Sequence, residues 1–367
     1  MIRADLVDPS AYTPPYDRAL AAALARAGAS VRLVTTRFAY GEVPAAEGYE
    51  VAYDFYRHAR GAAGSRVRRA LKLAEHVPDM LRYRRSAERA DVVHFQWLTV
   101  PVLDLGLLPD RPVVLTAHDL LPREPRPGQL RAQRRLLQRV SAVIVHSQAG
   151  RRAVVEGVGV DPGRVHVVPH GAFDHLTKLA GSLPVELPPT DRPVVLYFGL
   201  IRPYKGLEVL LEAWRQLSGA ELWVVGRPMM DISGLRAGAQ DSVRWVPRFV
   251  TDGEAASLLR RAEVVVLPYT RTERFDQSGV LASALGFGKA IALTDVGGFA
   301  EIAAAGAARL VRPGDPGALA GALRALLEDP VERRRLERSA LAAARGVYSW
   351  EAAAQKTLDV YGRILAA

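Results

Sequence analysis

Short runs of β-branched residues alternate with Ala-, Leu- and Arg-rich stretches of helical period, and the chain goes through this rhythm twice. In the first half the runs are 30–35 (SVRLVT), 91–95 (DVVHF), 112–116 (PVVLT) and 142–145 (AVIV), with helical patterns at 16–27 and 129–140. A run that is apolar on both faces must be covered on both faces, and strand–crossover–strand connections in a parallel sheet provide that cover. Residues 180–192 (AGSLPVELPPTDR) then interrupt with Pro and short polar residues and read as a linker. The rhythm restarts with 194–198, a helical pattern over 207–217, then 222–225, 264–267 and 290–293. At 367 residues the chain is too long for one typical core and suits two. The expectation is an α/β protein of two doubly wound Rossmann-like domains, over 1–178 and 192–348, joined by 179–191 and facing a central cleft. Ligands of such sheets bind beyond the carboxyl ends of the strands. The last segment, 349–367, contains an amphipathic helical pattern.

Composition narrows the chemistry. There is no cysteine, which removes disulfides, thiolate metal sites and a cysteine nucleophile. No apolar run reaches the length needed to cross a bilayer. The first residues, MIRAD, lack the layout of a secretory signal, so the expected location is the cytoplasm. The formal charge of +10 favours an anionic partner. The basic residues cluster in the first half, from Arg57 through Arg66, Arg69 and Lys72 to Arg89, and again over Arg123, Arg126, Arg131, Arg134, Arg135 and Arg139. The Arg57–Arg89 cluster is either a solvated face or a peripheral contact with the anionic inner face of a membrane. It lacks the interleaved aromatics and modules of nucleic-acid binders, so no nucleic-acid partner is expected.

Three segments of the second half carry chemistry. In 198–206 (FGLIRPYKG) a strand runs into a glycine turn, two cations three residues apart and a helix. That places positive charge at the lip of the sheet, as a diphosphate site or as a solvated loop. In 276–282 (DQSGVLA) polar residues and a glycine precede a helix, which serves phosphate or simply caps the helix. In 290–298 (AIALTDVGG) a buried strand ends in a diglycine turn.

Together with 243–252, 262–269 (AEVVVLPY), 310–316 (LVRPGDP) and 348–351 (YSWE), these segments resemble, in order and spacing, the nucleotide-binding half of the GT-B retaining glycosyltransferases of family 4. In the first half 91–96 (DVVHFQ), 116–119 (TAHD), 145–147 (VHS) and 167–171 (VVPHG) are similar to family segments in the expected order. The resemblance implies a nucleoside diphosphate sugar as donor substrate, retention at the transferred carbon, no cofactor and no metal. It implies that Lys205 and Arg202 bind the donor diphosphate, although the usual family position of the arginine, directly after the glycine, is Leu200 here. It gives His118 the role of the histidine that reaches the donor sugar. It places Asp276, Gln277, Ser278, Gly279 and Val280, with Gly226, Arg248 and Phe249, on the donor side. The last helix is expected to cross back onto the first domain. On the acceptor side, for a carbohydrate or lipid-linked acceptor, the strand-end residues Tyr12, Tyr16, Asp17, Gln96 and Trp97 are candidates, or else core aromatics.

One departure stands out. Many family members carry two glutamates around the phosphate helix, with seven residues between them. In the register set by Gly288 those positions are Phe275 and Ser283. A sub-group of similar sequences has Gln-Ser-Gly here, and Glu273 or Asp276 are the nearby carboxylates. The loss leaves open an inactive binding protein, and the architecture leaves open a phosphorylase or sugar-phosphate synthase. His94, His118, His146 and His170 all fall at or near strand ends, and only His118 matches a family position. Neither first strand is followed by the G-x-G-x-x-G of dinucleotide binders.

Overall fold

A computed structural model describes residues 1–39, 43, 45–62, 64–121, 127–271 and 277–367. The chain divides into two compact units. Unit 1 holds Met1–Gly171 and Trp350–Ala367, and unit 2 holds Ala172–Thr272 and Gln277–Ser349.

Unit 1 is built on seven parallel strands: β1 (Arg3–Asp8), β2 (Ser30–Thr35), β3 (Glu50–Tyr53), β4 (Val92–Phe95), β5 (Val113–Thr116), β6 (Ala142–Val145) and β7 (Val165–Val167). Their order across the sheet is β3-β2-β1-β4-β5-β6-β7. β4, β5 and β6 are buried along their whole length, as runs apolar on both faces must be. Val7, Val93, Phe95, Val143 and Val145 join one core cluster with Met80, Tyr83 and Leu136. The strand order reverses between β1 and β4, which is where sheets of this kind open a crevice for ligands. The C-terminal helix, Trp350–Ala366, lies on the helix Pro14–Arg26, and Arg26 pairs with Glu351 at 2.9 Å. The last helix therefore does return to the first sheet.

Unit 2 has six parallel strands: β8 (Val194–Phe198), β9 (Glu221–Val225), β10 (Val243–Val246), β11 (Val264–Leu267), β12 (Ala290–Thr294) and β13 (Arg309–Val311). The order is β10-β9-β8-β11-β12-β13, so the reversal falls between β8 and β11. The helix Asp252–Arg261 begins with a full capping box, Thr251 and Glu254 satisfying each other's backbone N–H.

Residues 180–192, which read as a linker, are stitched to unit 2. Arg260 Nη2 donates to the carbonyls of Thr177 and Leu179, and Arg261 Nη2 to those of Thr190 and Arg192. Gly181 packs so tightly on Gly253 that a Cβ there would meet its carbonyl oxygen at 2.2 Å. The boundary between the units falls earlier, between Gly171 and Ala172.

Candidate functional site

In unit 1 the chain must turn sharply after β1 to start the helix at Pro14. Asp8, the last residue of β1, organises the turn. Its carboxylate accepts the N–H groups of Ser10 (3.1 Å), Tyr12 (2.5 Å) and Thr13 (3.2 Å). Ala11 within this turn has a φ of +51°, a conformation that usually falls to glycine. Asp17, from the following helix, accepts Thr13 Oγ1 at 3.2 Å, and Thr13 Oγ1 accepts Trp97 Nε1 at 2.9 Å. Burial, and then the charge of Asp8, pushes Asp17 well above the usual carboxylate range. Two adjacent buried carboxyls cannot both ionise, so Asp17 is the protonated member and Asp8 the acceptor of the loop amides.

The parallel register brings three imidazoles together. Thr116 pairs with Ile144 and Val145 with Val167, so the register carries on to set His118, His146 and Val168 side by side, one or two residues beyond the strand ends. His146 Nε2 lies 3.2 Å from His118 Nδ1, and His146 Nδ1 lies 2.9 Å from the Val168 carbonyl. His118 Nε2 lies 3.1 Å from the side-chain amide of Gln96, just past β4. His170 follows β7, with its ring 5.3 Å from that of His146. The ring of Tyr16 sits against His118, His170 and Trp350 at 4.6, 4.9 and 5.1 Å. Tyr16 is thus a core ring. His94 is buried on β4, bonded to Thr116 Oγ1 and to the Tyr361 hydroxyl of the C-terminal helix, both at 2.7 Å. Burial, then the neighbouring His146, lowers His94 and His170 to about 3. Burial lowers His146 to about 4. His118 falls well below the ordinary value for the same reason, with His146, His170 and His94 adding to it. Trp97 stacks on His118 with ring centres 5.2 Å apart and planes 16° apart, and Tyr12, 59% exposed, leans on Trp97 at 5.3 Å. The result is an aromatic ledge ending on the partly exposed edge of His118.

In unit 2 the glycine turn after β8 makes room for a cation. Gly199 has a φ of +99°, and a Cβ there would lie 2.9 Å from Lys205 Nζ and 3.0 Å from Val280 Cγ2. A Cβ on Gly226, at the end of β9, would meet the Gly199 carbonyl at 2.0 Å. Glycine at both places is what lets the two strand ends and the lysine close up. Lys205 is 7% exposed, and its Nζ stands 5.4 Å above the Tyr269 ring. Val280 is in the first turn of the helix Gly279–Gly286, whose N-cap Ser278 makes no side-chain cap bond. Ser278 Oγ instead pairs with the Tyr269 hydroxyl at 3.1 Å. The N-terminal amides and dipole of that helix therefore converge on the same strand-end region as the ammonium. Arg202 is half-buried, in extended backbone just before Pro203. Gln277 Oε1 accepts the Ser278 N–H at 3.2 Å, and Gly279 is exposed. Ser283, at one of the two positions that the family resemblance gives to glutamate, turns its hydroxyl back to the Gly279 carbonyl at 3.0 Å.

The other donor-side candidates are placed differently. Arg248 forks onto two carboxylates, Glu186 at 2.7 and 2.9 Å and Glu254 at 2.7 and 3.1 Å. Hydrogen bonds from its guanidinium, against the cost of burial, hold Glu254 down to about 2. Phe249 is 56% exposed, with the Arg227 guanidinium 5.5 Å from its ring centre. Asp276, Glu273, Phe275, Arg123 and Arg126 lie outside the described residues. Among the described residues no group of three His, Asp or Glu side chains is arranged to hold a metal ion. No described helix is long and apolar enough to cross a membrane. The sequence places His146 and His170 near strand ends without giving them a role, and nothing in it singles out Asp8 or the Tyr269 hydroxyl.

Two family models match the chain: Glycosyltransferase Family 4 over residues 18–172 and Glycosyl transferases group 1 over 192–329. A D-inositol 3-phosphate glycosyltransferase of Kineococcus radiotolerans is 28% identical, over 94% of this chain and 88% of its own. Among solved structures, the sucrose-phosphate synthase of Thermosynechococcus elongatus superposes with a TM-score of 0.76 at 21% identity, over the whole of both chains. Anabaena HepE in complex with UDP-glucose gives a TM-score of 0.72 at 20% identity, over 99% of this chain and all of that one. Two parallel-sheet units, each with chemistry at its strand-order reversal, and two family models that between them span most of the sequence agree: the chain belongs to the family 4, group 1 glycosyltransferases of GT-B fold.

Proposed function

We propose that this glycosyltransferase takes its sugar from a nucleoside diphosphate donor held by unit 2 and passes it, with retention and without a metal, to a carbohydrate or lipid-linked acceptor. The observation that carries the reading is the buried Lys205, its ammonium set close against Gly199, near a helix N-terminus whose N-cap Ser278 makes no side-chain cap bond among the described residues. Negative charge grows on the departing diphosphate as the anomeric bond breaks. Fixed cations and helix amides aimed at that charge lower the barrier. Arg202 contributes a second cation, and His118 meets the donor sugar. The aromatic ledge of Tyr12 and Trp97 offers a surface to the acceptor. The likeness to a fold captured with UDP-glucose supports a uridine nucleotide as the first to try. Lys205→Ala should lose roughly 2–4 kcal/mol of transition-state stabilisation, as removal of one such donor does elsewhere. A Lys205→Ala enzyme with wild-type kcat/KM would overturn the assignment.

A second reading concerns location. The helix Arg66–Ser86 exposes Val67, Leu71, Leu73 and Leu81 beside Arg66, Arg69, Arg82 and Arg85. Apolar and basic side chains on one exposed helix suit the surface of an anionic bilayer. Co-sedimentation with phosphatidylserine vesicles at low salt, lost on replacing Arg66, Arg69 and Leu73, supports it. No binding at low salt removes it.

A further inference from the structure

Four groups of unit 1 form a run in which each hydrogen bond fixes the next. The Val168 carbonyl has only lone pairs, so His146 Nδ1, 2.9 Å away, carries a hydrogen. Near neutral pH the buried His146 is uncharged, so its Nε2 is bare. That nitrogen is 3.2 Å from His118 Nδ1, which must therefore be the donor. His118 is likewise uncharged, which leaves its Nε2 bare. Facing this nitrogen, 3.1 Å away, is the Gln96 amide. Two lone pairs do not bond, so a half turn about the last side-chain torsion must present the amide NH₂ there. The same half turn gives a partner to the Gln96 nitrogen, which otherwise is buried with none among the described residues.

We propose that His146, anchored on the Val168 carbonyl, locks His118 as its Nδ1–H tautomer, so that His118 Nε2 accepts hydrogen bonds and has none to give. His146 is a positioning residue: it is buried, whereas His118 keeps an exposed edge. The direction of the run has a consequence for ligand chemistry, which rests on the reading above that His118 meets the donor sugar. A group that replaces the Gln96 amide at Nε2 must bring its own hydrogen. A sugar hydroxyl meets that condition, and a phosphate or carbonyl oxygen does not. Tyr16 and Trp97, edge-on and stacked against the His118 ring, hold it in the plane the run requires.

The test is long-range ¹⁵N–¹H spectroscopy of the full ¹⁵N-labelled chain without ligand at pH 7.5, the signals of His118 being identified by their loss in His118→Gln. Expected in the wild type is a pyrrole-type Nδ1 and a pyridine-type Nε2 on both His118 and His146. His146→Phe keeps ring volume and removes the acceptor, and should shift His118 towards the Nε2–H form. His146→Gln, whose carbonyl oxygen replaces the acceptor, should restore the wild-type pattern. A pyrrole-type Nε2 on His118 in the wild type overturns the proposal whether or not the variants fold, and so does an unchanged His118 pattern in a folded His146→Phe. The spectra need no substrate. A chain with the expected tautomers but no sugar transfer would overturn the proposed function and leave the tautomer assignment standing.

Discussion

Lys205 lies so close to Gly199 that a Cβ on the glycine would come to 2.9 Å from its Nζ. The glycine is thus part of the cation's seat. Gly199→Ala would also force a side chain into a φ of +99°. We expect a stability loss of about 1–3 kcal/mol in urea unfolding, together with displacement of the ammonium. Nucleotide affinity should fall in the folded variant as it does in Lys205→Ala. Undiminished affinity in Gly199→Ala would mean that the seat is not the binding site.

Neutral imidazoles, buried at His94 and His146 and half-buried at His118 and His170, make stability depend on pH. His94, His118, His146 and His170 all have folded pKa values below the unfolded value near 6.5. Their contribution is complete above pH 6.5 and is lost as the pH falls, because the unfolded chain binds the protons first. Each group costs about 1.4 kcal/mol per pH unit below that point, until its folded pKa is reached. Asp17, raised in the fold, acts with the opposite sign and offsets part of the loss. The urea midpoint should drop steeply between pH 6.5 and 5, and less steeply in His170→Phe. A flat profile across that window would contradict the buried cluster.

Arg248 is engaged by Glu186 and Glu254, which ties the segment after Ala172 to the capped helix at Asp252. The pairs are partly solvated, so Arg248→Ala should cost only about 1 kcal/mol. The melting temperature should fall while nucleotide affinity holds. A fall in affinity at unchanged stability would return Arg248 to the donor side.

Much of this was legible in the residues. The apolar runs at 91–95, 112–116 and 142–145 marked central strands because such strands must be apolar on both faces. β3, β7, β10 and β13 passed unmarked: they are three or four residues long, lie at sheet edges and are half open to water, which dilutes the signal. β1, central and buried, passed unmarked because Arg3, Asp5 and Asp8 interrupt its apolar run. The glycine turn and Lys205 could be read from local order, since one short segment holds both. The imidazole run could not. Its members lie 22 and 28 residues apart, and only the parallel register sets them side by side. The attachment of the Pro-rich segment 180–192 was hidden for a related reason: Arg261, which clasps Thr190 and Arg192, comes 71 and 69 residues later, and Arg260, which holds Thr177 and Leu179 just before it, 83 and 81 residues later.

Ala11, in the turn after β1, has a left-handed φ that usually falls to glycine. Ala11→Gly should relieve strain and raise stability by up to about 1 kcal/mol. A loss of stability would show that the Asp8 amide bonds, and not the backbone angle, set the energy of the turn.

The most direct measurement is calorimetric titration of UDP, GDP, ADP and dTDP, and of their sugars, into the wild-type chain and Lys205→Ala side by side without added metal. The expected result is that one nucleotide series binds the wild type and loses at least tenfold in affinity in the variant. If none binds the wild type at millimolar concentration, or if the variant binds as well as the wild type, the diphosphate site at Lys205 is contradicted.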